Sequence, residues 1–304
     1  MIGSDWDVYG FRLHPLESKT GPFPQRPFTH TWWAHRRRPG DDLLIASSEI
    51  GLVPFVHNEG MVTIAGDGDV TDYHSPLGAG LPELVEELAA TLPTGTRFDL
   101  DSLPGAAATG LNDALLDNGF VATGATHDVA AVLQLPASFD EYLAALSKKD
   151  RHETRRKIRR FDTALGQPRV VRHKGTGAVA VFAEMHRHSS GDKGEFMTAG
   201  MERFFVALHE EAGAVIDVLV TEHDTPAAAA FSFEDDEAYY LYNSAYEPRF
   251  RDSSPGVVLL ATLIEHTINT GRTTFDFLKG DEAYKFRMGA EKRPLCRLTG
   301  EFTR

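Results

Sequence analysis

The residues best suited to chemistry lie between Tyr239 and Arg287. The run Tyr239-Tyr-Leu-Tyr-Asn-Ser-Ala-Tyr-Glu-Pro-Arg-Phe-Arg-Asp-Ser-Ser-Pro-Gly256 reads as an apolar strand entering a polar loop, and the loop opens a helix with Pro255 at its favoured first position. Behind it Val257, Leu260, Ala261, Ile264 and Ile268 recur at helical spacing, and Gly271 closes the stripe. Ser253 or Ser254 is expected to cap the helix by accepting a backbone N–H. Free N–H groups at the positive end of a helix dipole are what a phosphate or diphosphate requires, and Arg249 and Arg251 stand just upstream. The same residues also describe an ordinary capped helix with two surface arginines.

A second charged group, Asp276, Lys279, Asp281, Glu282 and Lys285, falls on a strand end and the turn after it. Lys285 admits two readings. Its fixed charge suits a developing oxyanion or a donor phosphate, and it also suits an ion pair with Asp281 one helical turn back. Between Lys148 and Arg160 the basic residues outnumber the acidic ones enough to leave a net +6. Lys148, Arg151, Arg155 and Arg159 form one stripe, and Arg156 and Arg160 another. This is either a solvated face or a dock for a polyanion such as tRNA, a nucleotide-sugar diphosphate or a coenzyme A phosphate tail.

Other matches are weaker. His186-x-His188 with Asp192 suggests metal ligation but lacks a convincing further ligand, so no metal is expected. Gly175-x-Gly177-x-x-Ala180 follows a strand and opens a helix, yet a polar loop (189–195) replaces the second strand that a dinucleotide fold needs. There is no Gly-x-Ser-x-Gly elbow and no P-loop lysine. Cys296 is expected to be packed rather than nucleophilic.

The elements that must position these residues follow from length and pattern. The chain has 304 residues, enough for two domains, with ordinary apolar and charged fractions. Strands and helices alternate with short connections, which indicates an α/β (α+β) class, and the order repeats. We expect lobes at 1–136 and 137–304, joined near Pro136, each a mixed central sheet flanked by helices. A single helix is expected from Ser138 to Phe161, and Pro54 is expected on an edge strand or at a bulge. No apolar run reaches the ~20 residues needed to cross a bilayer. The N-terminus lacks a signal-peptide pattern, and a single cysteine suits a reducing cytoplasm. A formal charge of −13 disfavours DNA as a partner.

Arg251-x-x-Ser254-x-Gly256 resembles the acyl-CoA diphosphate loop of GNAT acyltransferases, which is usually Arg/Gln-x-x-Gly-x-Gly/Ala between a strand and a helix. With Phe275-Asp-Phe-Leu-Lys-Gly-Asp-Glu-Ala-Tyr-Lys-Phe-Arg287, the chain resembles the GNAT-like family first described with cellulose biosynthesis proteins, which is related to the Fem-type aminoacyl transferases. The resemblance covers most of 138–290, and Asp72-Tyr73 looks like a further recurring element. It implies two tandem GNAT-like lobes, the second with the better donor loop, and acetyl-CoA or another acyl-CoA as co-substrate. The acceptor would be an amine or hydroxyl of a small or saccharide molecule. It also implies a diphosphate held by Arg249, Arg251, Ser253, Ser254 and Gly256, a proton for the leaving thiolate from Tyr242, and roles for Lys285 and Asp72. Ser254 departs from the glycine of the family loop. An aminoacyl-tRNA donor and a non-catalytic GNAT-like binding protein are the alternative readings.

Overall fold

The computed structural model describes residues 1–8, 13–189 and 192–303; of Thr176, Asp192 and Lys193 only the backbone is described. The chain divides into two units, Met1–Ala130 with Arg293–Arg304, and Ala131–Lys292.

The first unit is built on strands β1 (Ile2–Gly3), β2 (Asp42–Ser47), β3 (Gly51–Asn58), β4 (Met61–Ile64), β5 (Leu77–Gly78) and β6 (Arg97–Leu103). Helices α1 (Arg26–Arg36), α2 (Leu81–Thr91) and α3 (Gly105–Asp117) accompany them. Leu84, Val85 and Leu88 of α2 and Leu111 and Leu115 of α3 are buried, so the helical periodicity of the sequence becomes one core with Phe55, Phe98 and Leu100. Pro54 does not lie on an edge, contrary to expectation: it pairs with Ile45 in a strand that β4 and β5 join from the other side. β4 pairs with β3 from Phe55 onward and β5 only with Gly51 and Leu52, so the missing N–H of Pro54 falls in the gap between them.

In the second unit the strand order is β7-β12-β11-β10-β9-β8. The strands are β7 (Ala122–Gln134, shared with the first unit), β8 (Arg169–His173), β9 (Val215–Val220), β10 (Pro226–Glu234), β11 (Ala238–Tyr246) and β12 (Thr274–Lys279). The helices are α4 (Phe139–Ala145), α5 (Lys148–Leu165), α6 (Thr176–Arg187), α7 (Asp192–Phe196), α8 (Ala199–Glu211), α9 (Pro255–Asn269) and α10 (Ala283–Arg287). One sheet face, with Leu219, Ala230, Tyr239 and Leu241, packs on α9, and α4 and α5 complete that core through Tyr142, Leu143 and Phe161. The other face carries Phe231, Phe233 and Tyr242 against Phe182 of α6 and Phe205 of α8.

The expected single helix from Ser138 to Phe161 is two helices. Leu146 adopts an extended ψ of 152°, and Ser147 then caps α5 by accepting the Asp150 N–H at 3.1 Å. β8 joins β9 antiparallel, which excludes the parallel βαβ unit that a dinucleotide fingerprint requires.

The final strand, β13 (Glu291–Glu301), was expected to belong with the second lobe. It pairs antiparallel with β6, Cys296 opposite Leu103 and Glu301 opposite Arg97, and residues 293–304 join the first unit. Phe302 packs on Phe98 and Phe120 with ring centroids 5.2 and 5.1 Å apart. Cys296 is half-buried at the margin of this core.

Candidate active site

β11 and β12 run parallel and pair over only three positions, Ala238 with Thr274, Tyr239 with Phe275 and Tyr240 with Asp276. Two local features end the ladder. On β11, a bulge at Tyr242 leaves Phe231 opposite Asn243 and Ser232 opposite Leu241, which bends the strand. On β12, the Asp276 carboxylate takes the Leu278 N–H at 2.7 Å, and Leu278 turns into the left-handed region at φ 61°. The ends of the two strands, Asn243–Tyr246 and Phe277–Lys279, thus continue without pairing to each other.

β11 leads through Glu247 into a 3-10 turn, Pro248–Ser253, and then into α9. The turn exposes Arg249 and Arg251, and the Arg249 guanidinium lies 4.8 Å from the Phe250 ring centroid. Neither Ser253 nor Ser254 caps α9 with its side chain, contrary to expectation. Ser253 is buried. Ser254 stands at the N-cap with φ 55° and ψ 47°, the left-handed conformation usually left to glycine. That conformation turns its hydroxyl away from α9, where it accepts a hydrogen bond of 2.6 Å from Arg160 on α5. Serine at this position therefore keeps a glycine-type backbone. A Cβ on Gly256 would meet only the Tyr246 ring, at 3.7 Å, so packing does not require glycine there.

Beside this turn a cavity of about 420 Å³ opens between α5, α9 and α10. Val257, Leu260 and Met288 supply its apolar lining, and its charged lining is mixed, Lys149, Lys157 and Arg287 against Asp150 and Glu153. Tyr284 also lines it. Tyr284 is 36% exposed; local desolvation of its phenol, and secondarily the Glu282 carboxylate, pushes its pKa upward. Tyr284 has no role assigned from the sequence alone; its adjacency to Lys285 in the Phe275–Arg287 block is the signal that points to it.

Lys285 is only 3% exposed. Its ammonium donates to the carbonyls of Lys279 at 2.6 Å, Leu278 at 3.2 Å and Gly280 at 3.3 Å. Its carboxylate partner is Glu282, at 2.9 Å, rather than the expected Asp281. Gly280 adopts φ 112°, a backbone that strains any residue with a Cβ.

Tyr242 is half-buried at the bulge, its ring 5.6 Å from Phe205 and 5.5 Å from Phe233. The neighbouring tyrosines are structural. Tyr239 donates to Asp217 and Tyr240 to Asp235, both at 2.8 Å. Asp72 belongs to the first unit, half-buried between the fully buried Thr71 and Tyr73.

The basic helix α5 divides in two by partner. Glu153 receives two hydrogen bonds from Arg156, at 2.7 and 2.8 Å, with Lys157 at 3.7 Å. These bonds, chiefly the one from Arg156, pull the Glu153 carboxyl down to about 2. Lys148, Lys149, Arg155, Arg159 and Arg160 are exposed and have no carboxylate within ion-pair distance among the described residues. His188, once grouped with His186 as a metal ligand, pairs instead with Glu247, Nδ1 to Oε2 at 3.3 Å. The Asp192 and Lys193 side chains lie outside the described residues. Among the described residues no group of three His, Cys, Asp or Glu could hold a metal ion.

Residues 148–286 match the family model of an acetyltransferase (GNAT) domain. No curated protein matches the chain. Three solved structures are similar over nearly its whole length. A conserved protein of unknown function from Bacteroides thetaiotaomicron VPI-5482 is 11% identical, with 97% of this chain and 95% of that one covered and a TM-score of 0.65. FemX is 12% identical, with 90% of each chain covered and a TM-score of 0.61. L-PGS from Bacillus licheniformis is 12% identical, with 93% of each covered and a TM-score of 0.60. At these identities the likeness is one of fold, and it agrees with the α/β class read from the sequence.

Proposed function

We propose that the protein is a GNAT-type acyltransferase that takes an acyl group from acyl-CoA, with acetyl-CoA as the reference donor, and passes it to an amine or hydroxyl of a small or saccharide acceptor. The same proposal places it in the family first described with cellulose biosynthesis proteins. One observation carries the reading. Within a segment matching an acetyltransferase domain, a strand parts from its parallel neighbour and feeds an arginine-bearing turn, a left-handed cap and a helix start that no side chain caps.

In this reading the amides at the start of α9, with Arg249 and Arg251, bind the donor diphosphate while Ser253, Ser254 and Gly256 shape the loop. The edge of β11 that faces β12, unpaired to it beyond Tyr240, offers N–H groups to the donor arm and the thioester carbonyl. The acceptor nitrogen or oxygen bonds to the thioester carbon and the C–S bond breaks; a tyrosine protonates the leaving thiolate, and the proton shed by the acceptor returns through solvent to that tyrosine. Tyr242 at the bulge and Tyr284 in the cavity are the two residues to compare for that step. Lys285 fixes the end of β12 beside the reacting centre and contributes positive charge there.

The basic face of α5 and the similarity in fold to FemX favour one second reading, an aminoacyl-tRNA donor. Among the described residues no helix is long and apolar enough to cross a membrane, in keeping with the cytoplasmic placement proposed here. A thermal-shift titration separates the donors. Coenzyme A or acetyl-CoA at a hundredfold excess over its Kd is expected to stabilise the native state by about 2.7 kcal/mol, and Arg251→Ala to reduce the shift. No shift, with retention of tRNA at physiological salt, would transfer the assignment to the second reading.

A further inference from the structure

The loop after β11 already supplies what a diphosphate needs, two exposed guanidiniums and the start of a helix. α5 adds a third guanidinium from 94 residues away in the sequence. Arg160 reaches the N-cap of α9 and donates to Ser254 Oγ at 2.6 Å. One of its five N–H donors is engaged in that bond, leaving a planar face of donors for an anion. The charge of Arg156, one helical turn earlier, is met by Glu153; Arg160 has no such partner among the described residues. Arg155 and Arg159 are exposed on the same helix and add to the positive field. A third unneutralised cation at the rim calls for an anionic group beyond the diphosphate, held close to it on the same ligand. In a nucleotide donor that group is a phosphate on the ribose.

Resting on the acyl-CoA reading above, we propose that Arg160 binds the ribose 3′-phosphate of the donor and makes the site select coenzyme A over dephospho-coenzyme A. The left-handed Ser254 then has a purpose that glycine could not serve, because its hydroxyl holds the Arg160 guanidinium at the helix entrance.

Isothermal titration of the full chain with coenzyme A and dephospho-coenzyme A tests this. The wild type is expected to bind coenzyme A about tenfold or more tightly, as a charge-assisted phosphate contact implies. Arg160→Ala and Arg160→Gln are expected to lose that preference while keeping dephospho-coenzyme A affinity within about twofold and the ligand-free melting temperature unchanged, since Arg160 is exposed. Equal affinities in the wild type, or a preference that survives in both variants, would overturn the proposal and leave the donor reading standing. An equal loss for both nucleotides would also overturn it, placing Arg160 on the diphosphate instead. Binding of neither nucleotide by the wild type would remove the acyl-CoA reading together with this one.

Discussion

The Lys285 ammonium lies 2.6 Å from the carbonyl oxygen of Lys279 and closes the turn in which β12 ends. Two further carbonyls and the Glu282 carboxylate complete its shell, so the charge is buried yet fully met by oxygen. Removing the ammonium strands those acceptors. Lys285→Ala is expected to destabilise the protein by roughly 2–3 kcal/mol, the cost of leaving buried acceptors without a donor. Urea denaturation followed by circular dichroism checks it. A midpoint unchanged from wild type would show that the turn does not depend on this residue.

At Ser254 the strain of the left-handed backbone can be isolated by a pair of variants. Both Ser254→Ala and Ser254→Gly lose the bond from Arg160, but only glycine relieves the left-handed backbone at φ 55°. Ser254→Gly is therefore expected to be more stable than Ser254→Ala by about 1 kcal/mol. Equal unfolding free energies would mean that the cap leaves this conformation in solution.

How much of this was legible in the sequence differs by range of interaction. The stripe Val257–Ile268 and the strand before it describe a strand, loop and helix that the structure reproduces, because periodicity is a local property. Asp281 was paired with Lys285 on the assumption that the helix already included it. α10 begins only at Ala283 and Glu282 is its N-cap, so the neighbour at i−3 takes the bond. Ser147 broke an apparently continuous helical pattern with a cap that periodicity cannot see. The pairing of β13 with β6 was out of reach of local pattern, since β6 lies almost 200 residues away in sequence. The contact of Arg160 with Ser254 was invisible for the same reason, although both residues had been singled out separately.

Glu153 gives a pH-dependent signature. Its carboxyl is held at about 2, below its ordinary value of 4.5, mainly by the bonds from Arg156. A depressed acid contributes stability that is present above its unfolded value and is lost as the pH falls through its folded one. The contribution of Glu153 should thus fade between about pH 4.5 and pH 2. Because the pair is about 40% exposed on both sides, solvent screens it and the effect should be small. Glu153→Gln is expected to lower the urea midpoint slightly at pH 7 and not at all near pH 2. A difference that stays constant over the whole range would assign the loss to packing.

Gly300 tests the assignment of the C-terminal strand to the first unit. It lies on β13 opposite Phe98 of β6, and a Cβ there would stand 2.3 Å from the Phe98 ring and 2.7 Å from the Val121 carbonyl oxygen. Neither neighbour is the loose end of a flexible chain: Phe98 is 1% exposed and packs on Phe302, and the other contact is backbone. Gly300→Ala must displace the strand or the ring, which in a filled core costs about 1–3 kcal/mol. The loss should appear in the unfolding of the first unit, and hydrogen exchange resolved by segment should show it in residues 97–103 and 295–302 before residues 215–246. Faster exchange confined to the second unit would contradict this placement of β13.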